Sequence, residues 1–171
     1  MEDKVLTPAI KGLVLALVLI LFSLILFFTG QSENKSLGWI QIAIYGLAII
    51  WSCTNYSEQM KGNVTFGNVF AHGFKTGAAA TAIVLLYTFI FMKFISPELI
   101  DKTIIQARIK WEEAKMSASD MNKTEEWLRK YFVSLAIGGA LLMYMVGGLI
   151  FSLIGSAVAK KNPDPNPFVQ N

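Results

Sequence analysis

The residues with the most chemical potential lie in a short glycine-rich segment, residues 62–77, which reads GNVTFGNVFAHGFKTG. It contains the only histidine of the chain, His72, with Asn68 and Lys75 close by. At 100° per residue, these three side chains share one side of a helix. An imidazole beside an ammonium group can sense pH or transfer protons, but an interfacial polar face is the simpler interpretation. If the protein holds a ligand or partner, we expect it to contact Asn68, His72 and Lys75.

A second set of polar residues, Gln41, Tyr45 and Asn55, recurs at helical spacing within an otherwise apolar run, and Ala48 and Ser52 belong to the same stripe. Such residues ordinarily form hydrogen bonds between membrane helices. A wetted cavity or a groove for a lipid head group is the alternative, and the spacing leaves both open. These three residues are therefore further candidates for ligand or partner contact.

Motifs that would indicate catalysis are missing from the sequence. It has no GxSxG, no HExxH and no glycine-rich nucleotide loop, and His72 has no second imidazole, thiol or carboxylate at ligand spacing. We therefore predict no catalytic, cofactor-binding or metal-binding residues, and an enzyme is the weakest function class. The net charge is +3, with cations spread along the chain, so nucleic acid is not an expected partner.

The composition indicates an integral membrane protein. Hydrophobic residues make up 54% of the chain and charged residues only 16%, against about 25% charged residues in soluble domains. A helix needs roughly 20 mainly apolar residues to cross a bilayer. Four segments qualify, so we predict one all-α membrane domain over residues 1–171 with four spans, at about 10–28, 37–56, 73–95 and 131–159. In the first span, Thr7 and Pro8 form the helix start, and Lys11 is expected to extend to the head groups.

The connection between the last two spans, residues 96–130, is charged but carries a helical pattern. Ser96, Pro97 and Glu98 are typical of a helix start. Apolar residues then recur at steps of four and three, which predicts an amphipathic extramembrane helix over 98–121 that lies on lipid, on the bundle or on a partner. The segment SASDMNKT predicts a break, with Asn122 and Glu125 spaced as a capping box for the last helix. Residues 160–171 are expected to be a mobile tail.

Small residues mark the faces on which membrane helices can approach closely. Gly73 and Gly77 form a GxxxG pair at the start of the third span. In the fourth span, small residues follow an unbroken alternation of four and three. The predicted packing residues of that span are Gly138, Gly148, Ser152 and Gly155.

An even number of spans places both termini on the same side of the membrane. Lysines and arginines are more numerous on the other side, mostly in residues 96–130. However, Lys4 and Lys11 outweigh Lys35 around the first span, which usually dominates orientation. This local bias favours cytoplasmic termini.

The chain also resembles a known family. The motifs that carry the resemblance are TFGNVFAHGFKTG before an apolar span, MKFISPELIDK after it, and a glycine-rich last span ending in AVAKKNP. They are similar to an uncharacterised family of small four-span membrane proteins of Bacteroidota-type bacteria, a domain of unknown function. Two positions depart from the family pattern: Asn68 replaces Glu or Gln, and Ser96 replaces the Asn of Asn-Pro. The resemblance implies an inner-membrane protein encoded near glycosyltransferases of lipid-linked sugar pathways.

These observations lead to one function hypothesis and one alternative. We expect a non-enzymatic inner-membrane interaction or accessory protein that docks on a larger membrane enzyme or complex, in lipid-linked glycan or envelope biogenesis. Its partners would be membrane lipids and either another protein or further copies of itself. The alternative is a small oligomeric transport, channel or lipid-translocation protein that uses the polar stripe of the second span.

Overall fold

The computed structural model describes residues 5–32 and 34–162. The fold is all-α, with 85% helix, and no strand occurs in the described ranges. Four helices are long and apolar enough to cross a membrane, which confirms the predicted class of multi-pass membrane protein. The helices are α1 (Pro8–Phe28), α2 (Lys35–Gln59), α3 (Phe66–Ile90), α4 (Glu98–Glu113) and α5 (Ala118–Val158), and one π-helical turn (Phe91–Ile95) follows α3.

The starts of α1 and α3 follow from their capping residues. The backbone N–H of Ile10 donates to Thr7 Oγ1 at 3.3 Å, and Pro8 occupies the first turn, as predicted. The backbone N–H of Asn68 donates to Thr65 Oγ1 at 3.2 Å. Because these caps satisfy N–H groups that have no partner within the helix, the glycine-rich segment is helical from Phe66 and continuous with the third span.

The chain divides into two compact units. Unit 1 consists of the residues up to Val84 together with those from Leu142 onward, so it holds α1, α2, most of α3 and the last part of α5. Unit 2 is Leu85–Leu141 and holds the end of α3, α4 and the first part of α5. The single domain expected over residues 1–171 stays a prediction, since α3 and α5 contribute to both units.

In unit 1 the last described residues are fixed to the loop between α2 and α3. Lys61 and Gly62 adopt positive φ angles of 52° and 77°. The backbone N–H of Asn162 donates to Gly62 O at 2.9 Å, and its side-chain amide donates to Lys61 O at 3.2 Å. The Ser57 hydroxyl donates to Lys160 O. Residues 160–162, which belong to the expected mobile tail, are thus hydrogen-bonded to unit 1, and residues 163–171 lie outside the described part of the chain. The mobility of the tail stays a prediction.

Unit 2 contains an antiparallel hairpin of α4 and the start of α5. Ile104 and Met121 are buried, at 1% and 8% exposure. Across the hairpin, Arg108 Nη1 lies 2.5 Å from Glu125 Oε2. Arg129 binds both Glu125, at 3.0 Å, and Asp101. These ion pairs hold the hairpin together around the buried isoleucine.

The break between α4 and α5 lies earlier than predicted. Lys115 takes a positive φ of 56°, and the backbone N–H of Asp120 donates to Ser117 Oγ at 3.1 Å. The predicted capping box of Asn122 and Glu125 is therefore wrong, because these two side chains bind Arg108 instead. The cap is formed instead by Ser117 and Asp120, a pair with the same spacing five residues earlier.

At the start of α4 the expected residues are in place but act differently. The Ser96 hydroxyl donates to Glu98 Oε1 at 2.8 Å and does not cap a backbone N–H of the helix. Glu98 and Asp101 lie in the first turn, where the helix dipole favours carboxylates. The helix starts at the predicted position for a partly different reason.

We expect the Glu125→Gln variant to loosen the hairpin of unit 2. The hydrogen bonds of Arg129, and then of Arg108, hold the pKa of Glu125 below its usual range. A depressed carboxylate pKa stabilises the fold above the unfolded value of about 4.3, and this stabilisation is lost as the pH falls through the folded pKa. Hydrogen exchange of the α4 amides at pH 7 should become roughly two- to five-fold faster in Glu125→Gln.

The Glu126→Gln variant is the matched control, since Glu126 is exposed and belongs to none of the ion pairs found among the described residues. The wild type should lose protection of α4 below about pH 4, whereas Glu125→Gln should show little of this acid dependence. Equal protection of the α4 amides in both variants would show that the ion pairs of Glu125 do not hold α4 to α5.

Candidate functional site

Tyr45 of α2 lies at the centre of the helix packing in unit 1. Its hydroxyl donates to Tyr144 O at 3.0 Å and lies 3.4 Å from Thr81 Oγ1. Gln41, one turn earlier, donates to the Tyr144 hydroxyl at 3.1 Å. Gln41 and Tyr45, two residues of the predicted polar stripe, therefore form hydrogen bonds between helices.

Glycines make room for this tyrosine. A Cβ atom on Gly77 would lie 2.8 Å from the Tyr45 hydroxyl, and one on Gly148 would lie 3.0 Å from it. The predicted small-residue faces of α3 and α5 thus meet the same side chain of α2. Close approach at these glycines is what allows the hydroxyl to reach partners on two other helices.

Cys53, the only cysteine of the chain, occupies a similar position deeper along α2. It is fully buried, and its thiol donates to Val69 O at 3.6 Å. A Cβ atom on Gly73 would lie 2.3 Å from its sulfur, and one on Gly155 would lie 2.8 Å from it. Buried Ser152 lies against Gly73, with its Oγ 3.1 Å from the same hypothetical Cβ. Gly73, Ser152 and Gly155 thus lie where α2, α3 and α5 approach one another closely.

His72 is buried, at 6% exposure, and does not lie on an exposed polar face as expected. Its ring stacks on Tyr56 with centroids 4.2 Å apart and planes 11° apart. Its Nε2 is buried and has no hydrogen-bond partner among the described residues. The imidazole is therefore held by stacking, and it faces the inside of unit 1.

Lys11 is the largest departure from expectation. Although it belongs to the first turn of α1, it is 4% exposed, and its side chain points into unit 1 and not outward along the helix surface. Its Nζ donates to Ser52 O at 3.3 Å and lies 5.6 Å from the centroid of the Trp51 ring. The Ser52 hydroxyl in turn lies 3.0 Å from Thr76 Oγ1. A cation, two hydroxyls and an indole thus meet where α1, α2 and α3 come together.

A groove of about 350 Å³ opens beside this cluster. Lys11 and Thr76 provide its polar lining, and Trp51 borders them. The remaining lining is aliphatic and comes from α1 and α2: Val14, Leu15, Val18, Ile44, Leu47 and Ala48.

A second groove, of about 510 Å³, lies at the end of unit 1 where α2 and α5 finish. It is lined by Lys61, Lys160 and Lys161, among others. Lys161 is engaged there, since its Nζ donates to Ser156 O at 2.5 Å and to Ala159 O at 2.9 Å. This lysine satisfies carbonyl groups at the end of α5 that lack helical partners.

The predicted polar face of α3 is divided by the structure. His72 and Thr76 point into unit 1, whereas Lys75 is exposed and Asn68 is half-buried. The buried face of α3 includes residues from both predicted faces, the polar face with His72 and the small-residue face with Gly73 and Gly77. Asn55 is half-buried, and its Oδ1 has no partner among the described residues. A Cβ atom on Gly138 would meet open space among the described residues, so the packing role expected for this glycine stays a prediction.

Sequence reasoning missed the inward position of Lys11, although a signal for it existed. The buried residues of α1 recur at steps of three and four, and they include the small residues Gly12 and Ala16. A Cβ atom on Gly12 would lie 2.7 Å from both Ala79 Cβ and Thr76 O. A Gly-xxx-Ala pair marks a close-packing face, and Lys11 lies next to it on the same side of the helix.

Comparison with known proteins identifies the family to which this sequence belongs. The family model described as "Protein of unknown function (DUF4199)" matches residues 11–161. The chain belongs to this family. The match covers all four apolar helices almost completely, and it begins at the buried Lys11. No curated protein and no solved structure matches the chain.

We expect the Gly73→Ala variant to be destabilised by about 1–3 kcal/mol, the usual cost of overpacking. The reason is the 2.3 Å approach between the new Cβ and the Cys53 sulfur. Gly138→Ala is the control, because open space surrounds that position and alanine is the better helix former. Thermal unfolding in detergent micelles should give a lower Tm for Gly73→Ala and an equal or higher Tm for Gly138→Ala. Equal Tm values for all three proteins would contradict the packing described for Gly73.

Proposed function

We propose that this protein is a non-enzymatic membrane accessory protein that docks on a larger membrane enzyme or complex through the hairpin of unit 2. The observation that best supports this is an exposed apolar pair on α4. Ile105 and Ile109 are 59% and 52% exposed, whereas Ile104 on the inner face is 1% exposed. One face of α4 packs on α5, and another face presents isoleucines with no cover in the described part of the chain.

Aromatic residues indicate where the hairpin leaves the apolar part of α5. Trp127 and Tyr131 are exposed, with ring centroids 5.4 Å apart, and Lys130 Nζ lies 5.4 Å from the Tyr131 centroid. Tryptophan, tyrosine and lysine are enriched at the membrane–water boundary. The residues of α5 before Trp127 therefore belong to the extramembrane side, together with α4.

The charges around the exposed pair indicate the kind of partner. Helical spacing places Glu98 and Glu112 within about 20° of Ile105 around the axis of α4. Glu113 and Lys102 border the same face, and all four are exposed. The pKa of Glu98 is lowered by its own backbone N–H and by the Ser96 hydroxyl, so this carboxylate is ionised near neutral pH. The rim of the apolar pair thus includes three carboxylates and one ammonium group outside the ion pairs of the hairpin, whereas Asp101 and Arg108 on its other border are paired with Arg129 and Glu125.

Such a rim selects against an anionic lipid surface, which attracts clusters of lysine and arginine. It complements a protein patch with an apolar centre and a basic border, because opposite potentials across an interface favour association. The proposed partner is therefore the extramembrane part of another membrane protein with such a patch. In keeping with the sequence, we place the complex in a bacterial inner membrane, with cytoplasmic termini, in lipid-linked glycan or envelope biogenesis.

The alternative, a small oligomeric transport, channel or lipid-translocation protein, finds less support. It relied on the polar stripe of α2 lining a wet path. Gln41 and Tyr45 instead bind Tyr144 of α5, and Ser52 binds Thr76 of α3. Side chains that are bonded across helices are poorly placed to line water.

We expect a photoreactive amino acid at position 105 to crosslink a larger membrane protein in native membranes, which mass spectrometry would identify. The same probe at Lys110 is the matched control, because Lys110 lies on α4, is exposed, and points away from the isoleucine pair. In a probe-free protein, the Ile105→Ser, Ile109→Ser double variant should reduce copurification of that partner at least about tenfold, since buried apolar anchors carry most of the energy of an interface. Lys110→Ser should leave it unchanged.

A crosslink only to a second copy of this chain would overturn the accessory role and favour a homo-oligomer. Recovery of the monomer alone from both probe positions would overturn docking altogether. Hydrogen exchange of α4 in the double variant should match the wild type. This check separates loss of the partner from loss of the hairpin.

A further inference from the structure

We infer that the groove beside Lys11 binds an anionic phospholipid, with the phosphate at the Lys11 ammonium group and one acyl chain along the aliphatic lining. This inference goes beyond the docking role of unit 2 and does not depend on it. It rests on three observations in unit 1: a buried cation in a membrane span, an aliphatic groove that begins at that cation, and a rim exposed toward the bilayer.

The first observation is the buried charge. Ionisable groups within membrane spans are costly, and they are usually paired or functional. Lys11 is 4% exposed, yet no carboxylate of the described residues forms an ion pair with it. Its contacts are the Ser52 carbonyl at 3.3 Å and the face of the Trp51 ring, both of which attract a cation. An ammonium group has three donors, so capacity remains for an anionic oxygen.

The second observation is the shape and chemistry of the groove. Starting at Lys11, the aliphatic lining follows α1 as far as Val18 and is matched on α2 by Ile44 and Leu47. Seven residues of helix correspond to about 10.5 Å, which is long enough for the upper part of one acyl chain. A ligand with an anionic head and a hydrocarbon tail satisfies both ends of the groove at once.

The third observation selects a phospholipid over a free fatty acid. Val14, Leu47 and Trp51 line the groove but are 56%, 67% and 55% exposed, so the groove is open along the side that faces lipid. A two-chain lipid can place one chain inside and leave the other in the bilayer. Lys11 lies only about 4.5 Å of helix rise from the start of α1. This position is close to the boundary where lipid phosphates lie, and tryptophan is enriched there as well.

The inference is tested by titrating the full-length protein in detergent with three defined lipids and measuring bound lipid by native mass spectrometry. The lipids are phosphatidylglycerol, phosphatidylcholine with the same chains, and oleate. We expect phosphatidylglycerol to bind more tightly than the other two. The Lys11→Met variant should bind it about tenfold or more weakly, as is usual when a charged hydrogen bond is lost, and Lys11→Arg should retain most of the affinity.

One further variant, with two controls, keeps the test decisive if Lys11→Met does not fold. Val14→Phe fills the groove from its exposed rim and should weaken phosphatidylglycerol binding without removing the charge. Leu17→Phe is its matched control, because Leu17 is equally exposed on α1 but does not line the groove. Lys75→Met controls for the loss of one lysine at an exposed site of the same unit. Both controls should bind like the wild type.

Each contrary result overturns the inference. Unchanged phosphatidylglycerol affinity in both Lys11→Met and Val14→Phe would place the lipid elsewhere. Equal affinity for phosphatidylcholine, which carries the same phosphate but no net charge, would remove the preference for an anionic lipid. Tighter binding of oleate, with the same dependence on Lys11, would assign the groove to a free fatty acid and not to a phospholipid.

Discussion

Close backbone approach at glycines is the constraint on which unit 1 depends. Lipid tails are as apolar as leucine, so membrane helices gain little by hiding apolar side chains from lipid, and packing and hydrogen bonds must hold them together. Gly77 and Gly148 admit the Tyr45 hydroxyl, and Gly73 and Gly155 admit the Cys53 thiol. Because these glycines come from α3 and α5, α2 is held between two helices by its own polar side chains.

The hairpin of unit 2 is held by a different interaction, which suits its different surroundings. Outside the apolar segments, water competes for every charge, and a single exposed ion pair contributes little. Here Glu125 is shared by Arg108 and Arg129, and Arg129 also binds Asp101. Charges joined in a network contribute more than an isolated exposed pair does, and this network lies around the buried Ile104, which supplies the apolar contact.

Most of the fold could be predicted from the sequence because its signals are local. Apolar runs of sufficient length define the four spans, and Thr7 and Thr65 mark the helix starts through hydrogen bonds within one turn. The boundary between α4 and α5 was missed because two caps competed. Ser117 and Asp120 lie three residues apart and satisfy each other locally, whereas Asn122 and Glu125 have a stronger tertiary partner in Arg108.

The candidate site was predictable only in part, because a helical wheel gives the angle between residues but not the direction of the core. Tyr45 and Gln41 were found, since polar groups in an apolar run require partners inside the protein. His72 was placed at the interface, although the core of unit 1 lies between the polar and glycine sides of α3. Lys11 was assigned to the head groups from its place in the sequence, whereas the neighbouring small residues turn that side of α1 inward.

The division of unit 1 between two distant segments has a consequence for biogenesis. Its parts are the residues up to Val84 and those from Leu142 onward, and Leu85–Leu141 are synthesised in between. At about 5–20 residues per second, some 4–16 s pass between the emergence of Val84 and that of Asn162. During that interval Tyr45 and Cys53 have neither Tyr144 nor Gly155 to pack against. The first three helices are therefore in the membrane before their contacts with α5 can form, and unit 1 is completed only when the last helix is inserted.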